Sequence, residues 1–249
     1  MSEALLSRSP LPVLVGCALA LLVMAAAAFS GFGYRWEWWG YRQGFTILRW
    51  AAWGGLAAAG LCLWGAALAR PGMHRSGLSL ALTGILVGLC VFWIPWQQKR
   101  TAGRVPPIHD ISTDTDNPPL FVAILPLRVA AANQAAYGGG EVAGQQRTAY
   151  PDIKPLHLAV APGTAFQRAL EAARGLRWTV VAQDPAAGRI EASDRTFWYG
   201  FIDDVVIRIT PEAAGSRIDV RSVSRVGKSD VGTNARRIRS FLGAVAAGH

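Results

Sequence analysis

The sequence predicts two parts: an α-helical membrane anchor of three transmembrane helices, then an α+β domain with an antiparallel sheet and helices on one face. Three observations carry this. Three uncharged apolar runs, each about the ~20 residues a bilayer crossing needs, lie within the first hundred positions. Charge is divided unevenly, with nine Lys/Arg against two acids up to Val105 and sixteen against fourteen beyond it. From Leu156 onward the hydrophobic period reads strand, helix, four strands, helix, the order of an α+β domain.

Residues 1–104 form the predicted anchor, with spans at about 11–32, 50–69 and 77–96. Small residues are dense in the second (Gly54, Gly55, Ala57 to Gly60), where close helix packing uses them. Trp36, Trp38, Trp39, Trp50, Trp53, Trp93 and Trp96 fall near the span ends, as interfacial indoles do. The Ala26–Ala28 run before Phe29 and Ser30 also fits a signal-peptide cleavage site. The apolar run is too long for that, and only Arg8 precedes it, so a retained span is expected.

The excess of positive charge flanks the spans, so the partner it implies is the lipid bilayer and its anionic headgroups. No Lys/Arg block with interleaved aromatics occurs in the second half, and nucleic acid is not an expected partner. Cys17, Cys62 and Cys90 all lie inside apolar runs and have no metal-ligand spacing.

Residues 105–154 read as a juxtamembrane linker followed by an extended capping segment, punctuated by Asp116-Asn117-Pro118-Pro119 and Gly138-Gly139-Gly140. A short strand or helix is possible there at Leu120–Ala131. Residues 155–249 form the α+β domain. Leu156–Val160 alternates as a strand, and Pro162-Gly163-Thr164 opens a helix whose face is Phe166, Leu170 and Ala173, with Gly175 stopping it. Trp178–Ala182 and Ile190–Ala192 form a hairpin around Asp184–Gly188. Val205–Ile209 and Ile218–Val220 add two strands. The last helix is expected to start at Ser229 or Asp230 and to bury Val231, Ala235, Ile238, Leu242 and Val245.

Polar residues crowd the end of this domain. Ile218 and Val220 alternate with Arg217, Asp219 and Arg221, which puts Ser222 and Ser224 on the apolar face and Arg221 and Arg225 on the other. Asp203 and Asp204 are adjacent and point to opposite faces. Two readings stand. In one, the set is an ion-pair lattice: Asp203 or Asp204, preferably Asp204, pairs with Arg221 or Arg225, Asp230 caps the helix, and Asn234 holds the Gly227–Gly232 loop. In the other, Arg221, Arg225 and Arg237 grasp an anionic headgroup or peptide carboxylate near the N-terminus of the last helix, although Asp230 at the cap opposes an anion there.

The residues Asp203, Asp204, Arg221, Ser222, Ser224, Arg225, Gly227, Ser229, Asp230, Gly232, Asn234, Arg236 and Arg237, in this spacing, resemble the signature of a bacterial and plastid family known as domain of unknown function 1499. The resemblance is good over Pro155–Val245 and poor before it. Many relatives open the domain with a cysteine where this chain has Ile108–Asp114, and many carry an acid at the position of Val206. The resemblance implies a fold and a cell-envelope setting, with an extracytoplasmic domain on the inner membrane, and no reaction.

Orientation by charge points the other way. With the N-terminus inside, Arg8, Arg70, His74 and Arg75 are internal and Arg35, Arg42, Arg49, Lys99, Arg100 and Arg104 external, so the positive-inside rule places the domain in the cytoplasm. We follow the resemblance and expect a multi-pass inner-membrane protein with a periplasmic domain. No metal and no cofactor is expected. Asp110, Ser112, Asp114 and Asp116 alternate like a calcium loop, yet Thr115 replaces its glycine and Phe121 its closing glutamate. His74, His109, His157 and His249 are scattered, and no nucleophile, phosphate or dinucleotide motif is present. The expected function is the binding of a lipid, peptide or membrane-protein partner without catalysis. The alternative is an envelope hydrolase or transferase using Asp203 or Asp204 with Ser222, Ser224 and Arg221.

Overall fold

The computed structural model describes residues 10–68 and 75–248 and divides into two compact units. Arg8, Arg70, His74 and His249 lie outside the described residues.

The first unit comprises residues up to Arg100 together with Phe197–Gly200. It holds three helices long and apolar enough to cross a membrane: α1 (Leu11–Arg35), α2 (Tyr41–Leu68) and α3 (Arg75–Ala102). α2 starts nine residues earlier than the apolar pattern indicates, and α3 ends six residues later. Helix backbone satisfies its own polar groups in lipid and in the interface alike, so a helix need not stop where its apolar run stops. Arg42, Arg49, Lys99 and Arg100 lie on the extra turns. Arg49 and Arg100 sit against Trp50 and Trp96, at 5.8 and 4.7 Å from the ring centres. Packing depends on missing side chains: a Cβ on Gly88 would run into the Gly55 carbonyl, and one on Gly84 into the sulfurs of Cys62 and Cys17. In the same unit Trp198 Nε1 donates to the Ala28 carbonyl at 2.8 Å.

The second unit is an antiparallel sheet of β1 (Asp110–Ser112), β2 (Leu156–Leu158), β3 (Thr179–Asp184), β4 (Arg189–Arg195), β5 (Ile202–Glu212) and β6 (Gly215–Ser224), in the order β1-β6-β5-β4-β3. β2 also pairs with β6, along Ser216–Ile218, while β1 takes Arg221–Val223. Between them Val220 exchanges both backbone bonds with Thr113: its carbonyl accepts from the Thr113 N–H and its N–H donates to Thr113 Oγ1, each at 2.9 Å.

Three further helices complete the unit: α4 (Gly139–Ala149), α5 (Pro162–Gly175) and α6 (Thr233–Ala247). α5 starts with Pro162 in its first turn and buries Phe166, Leu170 and Ala173, as its spacing predicts. Those side chains meet Ile190, Ala192, Val205, Ile207, Ile218 and Val220 from one face of the sheet, and Ala235, Ile238, Phe241 and Val245 from α6. Trp178 stacks on Phe241 at 5.2 Å.

Two expectations are corrected here. The segment 105–154 is more than a linker and cap: it contributes β1 and α4, while its 3-10 turn at Leu125–Arg128 falls inside the stretch Leu120–Ala131 where a short strand or helix is expected. α4 begins inside the Gly138–Gly140 run that the sequence reading takes as a turn. Gln146 explains why the helix forms against its glycines, since its side chain accepts from the Ser112 N–H at 2.9 Å and donates to the Ser112 carbonyl at 2.6 Å. The last helix starts at Thr233, and Val231 is not on its buried stripe. Val231 and Gly232 both have positive φ, 54° and 75°, in the loop before it. A β-branched residue there is strained by about 1–3 kcal/mol and has to be held in place by its neighbours.

Candidate functional site

The two faces of the sheet differ in chemistry because the strands alternate. Val205, Ile207, Ile218 and Val220 face α5 and α6, and Val206, Arg208, Asp219, Arg221, Val223 and Arg225 face away from them. The second face is covered by the segment 113–137, through Phe121, Ile124 and Arg128. Signature residues occupy both faces.

On the helix face, Arg237 of α6 donates to Asp203 Oδ2 at 2.7 Å, to Asp194 Oδ2 at 2.8 Å and to Asn234 Oδ1 at 2.6 Å. Asn234, fully buried, accepts from Ser222 Oγ at 2.7 Å and donates to Ser224 Oγ and to the His109 carbonyl, each at 3.0 Å. It therefore ties β6 to α6 and to the start of β1, and it does not hold the Gly227–Gly232 loop. That loop is held by Asn133, whose amide donates to the Ser224 and Gly227 carbonyls at 3.0 and 2.9 Å. Asp230 accepts from the Asn234 and Gly232 N–H groups at 2.7 and 2.8 Å, and Ser229 Oγ accepts from the Val231 N–H at 3.2 Å. These bonds fix the strained Val231–Gly232 pair. Burial raises the Asp230 carboxyl above its ordinary value, with backbone donors working against it.

On the opposite face, Asp204 has no exposed surface and takes two guanidiniums. Arg225 approaches both its oxygens at 2.9 Å and Arg128 approaches Oδ2 at 2.5 Å, while Ser193 Oγ donates to Oδ1 at 2.7 Å. Burial alone would raise this carboxyl, but the donors prevail and hold it below its ordinary value. Arg221 is not its partner. Arg221 closes on Asp110 instead, and its Nη2 and Nη1 reach the Ala135 and Pro119 carbonyls at 2.7 and 3.2 Å. Burial raises the Asp110 carboxyl against the pull of that fork.

Several partners escape the sequence reading. Glu191, on β4 between Ile190 and Ala192, accepts from three consecutive N–H groups (Val122, Ala123, Ile124) at 2.9–3.1 Å. Asp114 and Asp219 form a ring with Arg208 and Arg217, with contacts of 2.8–3.1 Å. The alternating acids Asp110 and Asp114 thus turn toward arginines and not toward a common centre, and no metal-holding cluster occurs among the described residues. Arg128 carried a usable signal: it is the single charge in the stretch Pro118–Ala132. A buried acid is the natural partner for such a residue.

Ser222 and Ser224 share the helix face with Asp203 and are separated by the sheet from Asp204 and Arg221. A recess of about 340 Å³ lies beside Thr113, Gln146, Arg147, Tyr150 and Lys154, and none of the ten candidate residues lines it.

No curated protein matches the chain. The family model described as "Protein of unknown function (DUF1499)" matches residues 110–245, over half of the chain and including the segment before Pro155 where the sequence resemblance was poor, and the chain belongs to that family.

Proposed function

We propose that this is a membrane-anchored binding protein of the bacterial cell envelope. Three spans hold it in the inner membrane, and the α+β domain, on the periplasmic side, binds a lipid, peptide or membrane-protein partner without catalysing a reaction on it. The observation that carries this reading is the direction of the signature's polar atoms. Asp203, Asp204, Arg221, Arg225, Asn234 and Arg237 spend their hydrogen bonds on one another, on the neighbouring strands β1, β4 and β6, and on the covering segment. Hydrolysis or group transfer needs acid, base and nucleophile to converge on one substrate atom. The candidates for those roles are divided, with Asp204 and Arg221 on one face and Asp203, Ser222 and Ser224 on the other, where Arg237 takes the Asp203 carboxylate and Asn234 takes both serine hydroxyls. Such a lattice is suited to holding the surface above it in one shape, which lowers the ordering cost of binding.

Native mass spectrometry of gently extracted full-length protein should find a lipid, peptide or membrane protein bound at fixed stoichiometry. Turnover of an ester, amide or phosphoester by the pure protein, lost in Ser222→Ala with the fold intact, would overturn the reading. For orientation, a C-terminal alkaline phosphatase fusion should be active and a C-terminal green fluorescent fusion dark. The reverse pair of results would place the domain in the cytoplasm, as the charge count has it.

A further inference from the structure

The covering segment presents an apolar ridge. Leu120, Val122, Leu125, Leu127 and Val129 are 71, 52, 46, 52 and 87 % exposed, five large aliphatic side chains within ten residues. Arg128, the one charge among them, is turned inward to Asp204. Soluble surfaces rarely concentrate apolar side chains in this way without a binding role.

Three observations identify what covers the ridge. Its backbone has little to offer a peptide strand: the N–H groups of Val122, Ala123 and Ile124 go to Glu191, that of Leu127 to the Ile124 carbonyl, and the Leu127 carbonyl to Arg225. Pro118, Pro119 and Pro126 have no N–H to give. The exposed side chains are aliphatic, with none of the Trp, Tyr or Arg anchors that dominate protein–protein interfaces. Finally, the ridge ends where the chain enters the domain. Asn133 and Leu127 bond to Ser224, Arg225 and Gly227, and the same stretch meets the entering chain, through the Ser224 N–H on the His109 carbonyl and the Asp230 N–H on the Ile108 carbonyl. Only seven residues separate α3 from β1, a reach of at most about 25 Å.

We infer that the ridge Leu120–Val129 docks on a lipid surface, seating its aliphatic side chains at the boundary between headgroups and acyl chains. This inference rests on the binding reading above and names its ligand as lipid. Glu191 and the Asp204–Arg128 pair hold the ridge rigid, so little freedom is lost when it docks.

The test is photo-crosslinking of the full chain in its native membrane, with a diazirine amino acid placed in turn at Leu127 and Val129. Leu63, exposed on α2, serves as the lipid-facing control and Gln183, exposed on β3, as the water-facing one. Adducts at Leu127 and Val129 should carry phospholipid masses at a yield close to that of Leu63 and several-fold above Gln183. Adducts to a second copy or to another protein would overturn the lipid assignment and leave the binding function standing. Yields at both positions no higher than at Gln183 would remove the ridge as a binding surface, and native mass spectrometry would then judge the binding function separately.

Discussion

Arg221 and Asp110 stand 111 residues apart in the chain and meet as a two-pronged fork, Nε to Oδ1 at 2.9 Å and Nη2 to Oδ2 at 2.7 Å, with the arginine side chain wholly buried. The fork joins the first strand of the domain to its last long one. Removing one partner strands a buried charge at a cost of about 3–5 kcal/mol. Asp110→Asn and Arg221→Met should therefore each lower the unfolding midpoint of the domain in the full-length protein. The double change should cost less than their sum, as a thermodynamic cycle would measure.

Asp204 differs because it holds two arginines. Arg225→Met leaves Arg128 in place and should cost about 1.5–3 kcal/mol, the range of a charged hydrogen bond. Asp204→Asn leaves both guanidiniums facing a neutral group and should cost more. Denaturant melts of the two variants would show the ranking, and equal losses would mean that Arg128 contributes nothing.

The same residue sets a pH dependence. Asp204 lies below its ordinary value of 3.8 in the folded protein, so its contribution is present above that value and is lost as pH falls through the lowered one. The stability gap between wild type and Asp204→Asn should hold from neutral pH to about 5 and close below about 4. Asp230 is raised by burial, and the sign reverses: its contribution is present below the ordinary value and is lost as pH rises through the raised one. Asp230→Asn should thus be relatively better tolerated at pH 7 than at pH 4. Parallel pH–stability curves for the two variants would contradict both assignments.

Glu191→Gln keeps the size of the side chain and replaces one acceptor oxygen by an NH₂ group facing backbone donors. The loss should be about 1–3 kcal/mol, felt locally. Hydrogen exchange should accelerate at Val122–Ile124 before the strands β5 and β6 respond. In the anchor, Gly88→Val would press a branched side chain against the Gly55 carbonyl and Ala59. Thermal stability in detergent should fall, while the melting of the α+β domain stays unchanged.

Local pattern carried much of this architecture. The alternation of Ile218 and Val220 with Arg217, Asp219 and Arg221 placed the serines and arginines on the faces they occupy, and the Phe166–Leu170–Ala173 spacing placed α5. What pattern could not supply was pairing across long separations. Arg221 has acids nearer in sequence than Asp110, and alternation says which face an arginine takes without saying which carboxylate waits there. α4 was hidden for a related reason. Three glycines argue against a helix locally, and the Gln146–Ser112 contacts that favour it arise only when the chain has folded. The helix start failed through side-chain mimicry: Asp230 does bond the Asn234 N–H as a capping residue would, but across a loop with two left-handed residues.

The arrangement of β1 and β2 along β6 has a bearing on how copies behave when crowded in a plane. An open sheet edge is a template on which another chain can add a strand. On the β6 side that edge is cut into two three-residue strands, and the gap at Val220 is closed by Thr113, with its hydroxyl taking the N–H that a new strand would need. On the β3 side the ladder is broken by a bulge at Val181. A membrane confines its proteins to two dimensions and raises the frequency with which neighbouring domains meet. With both margins interrupted, these encounters find no long row of free backbone groups, and edge-to-edge growth of the sheet between neighbours is discouraged by the fold itself.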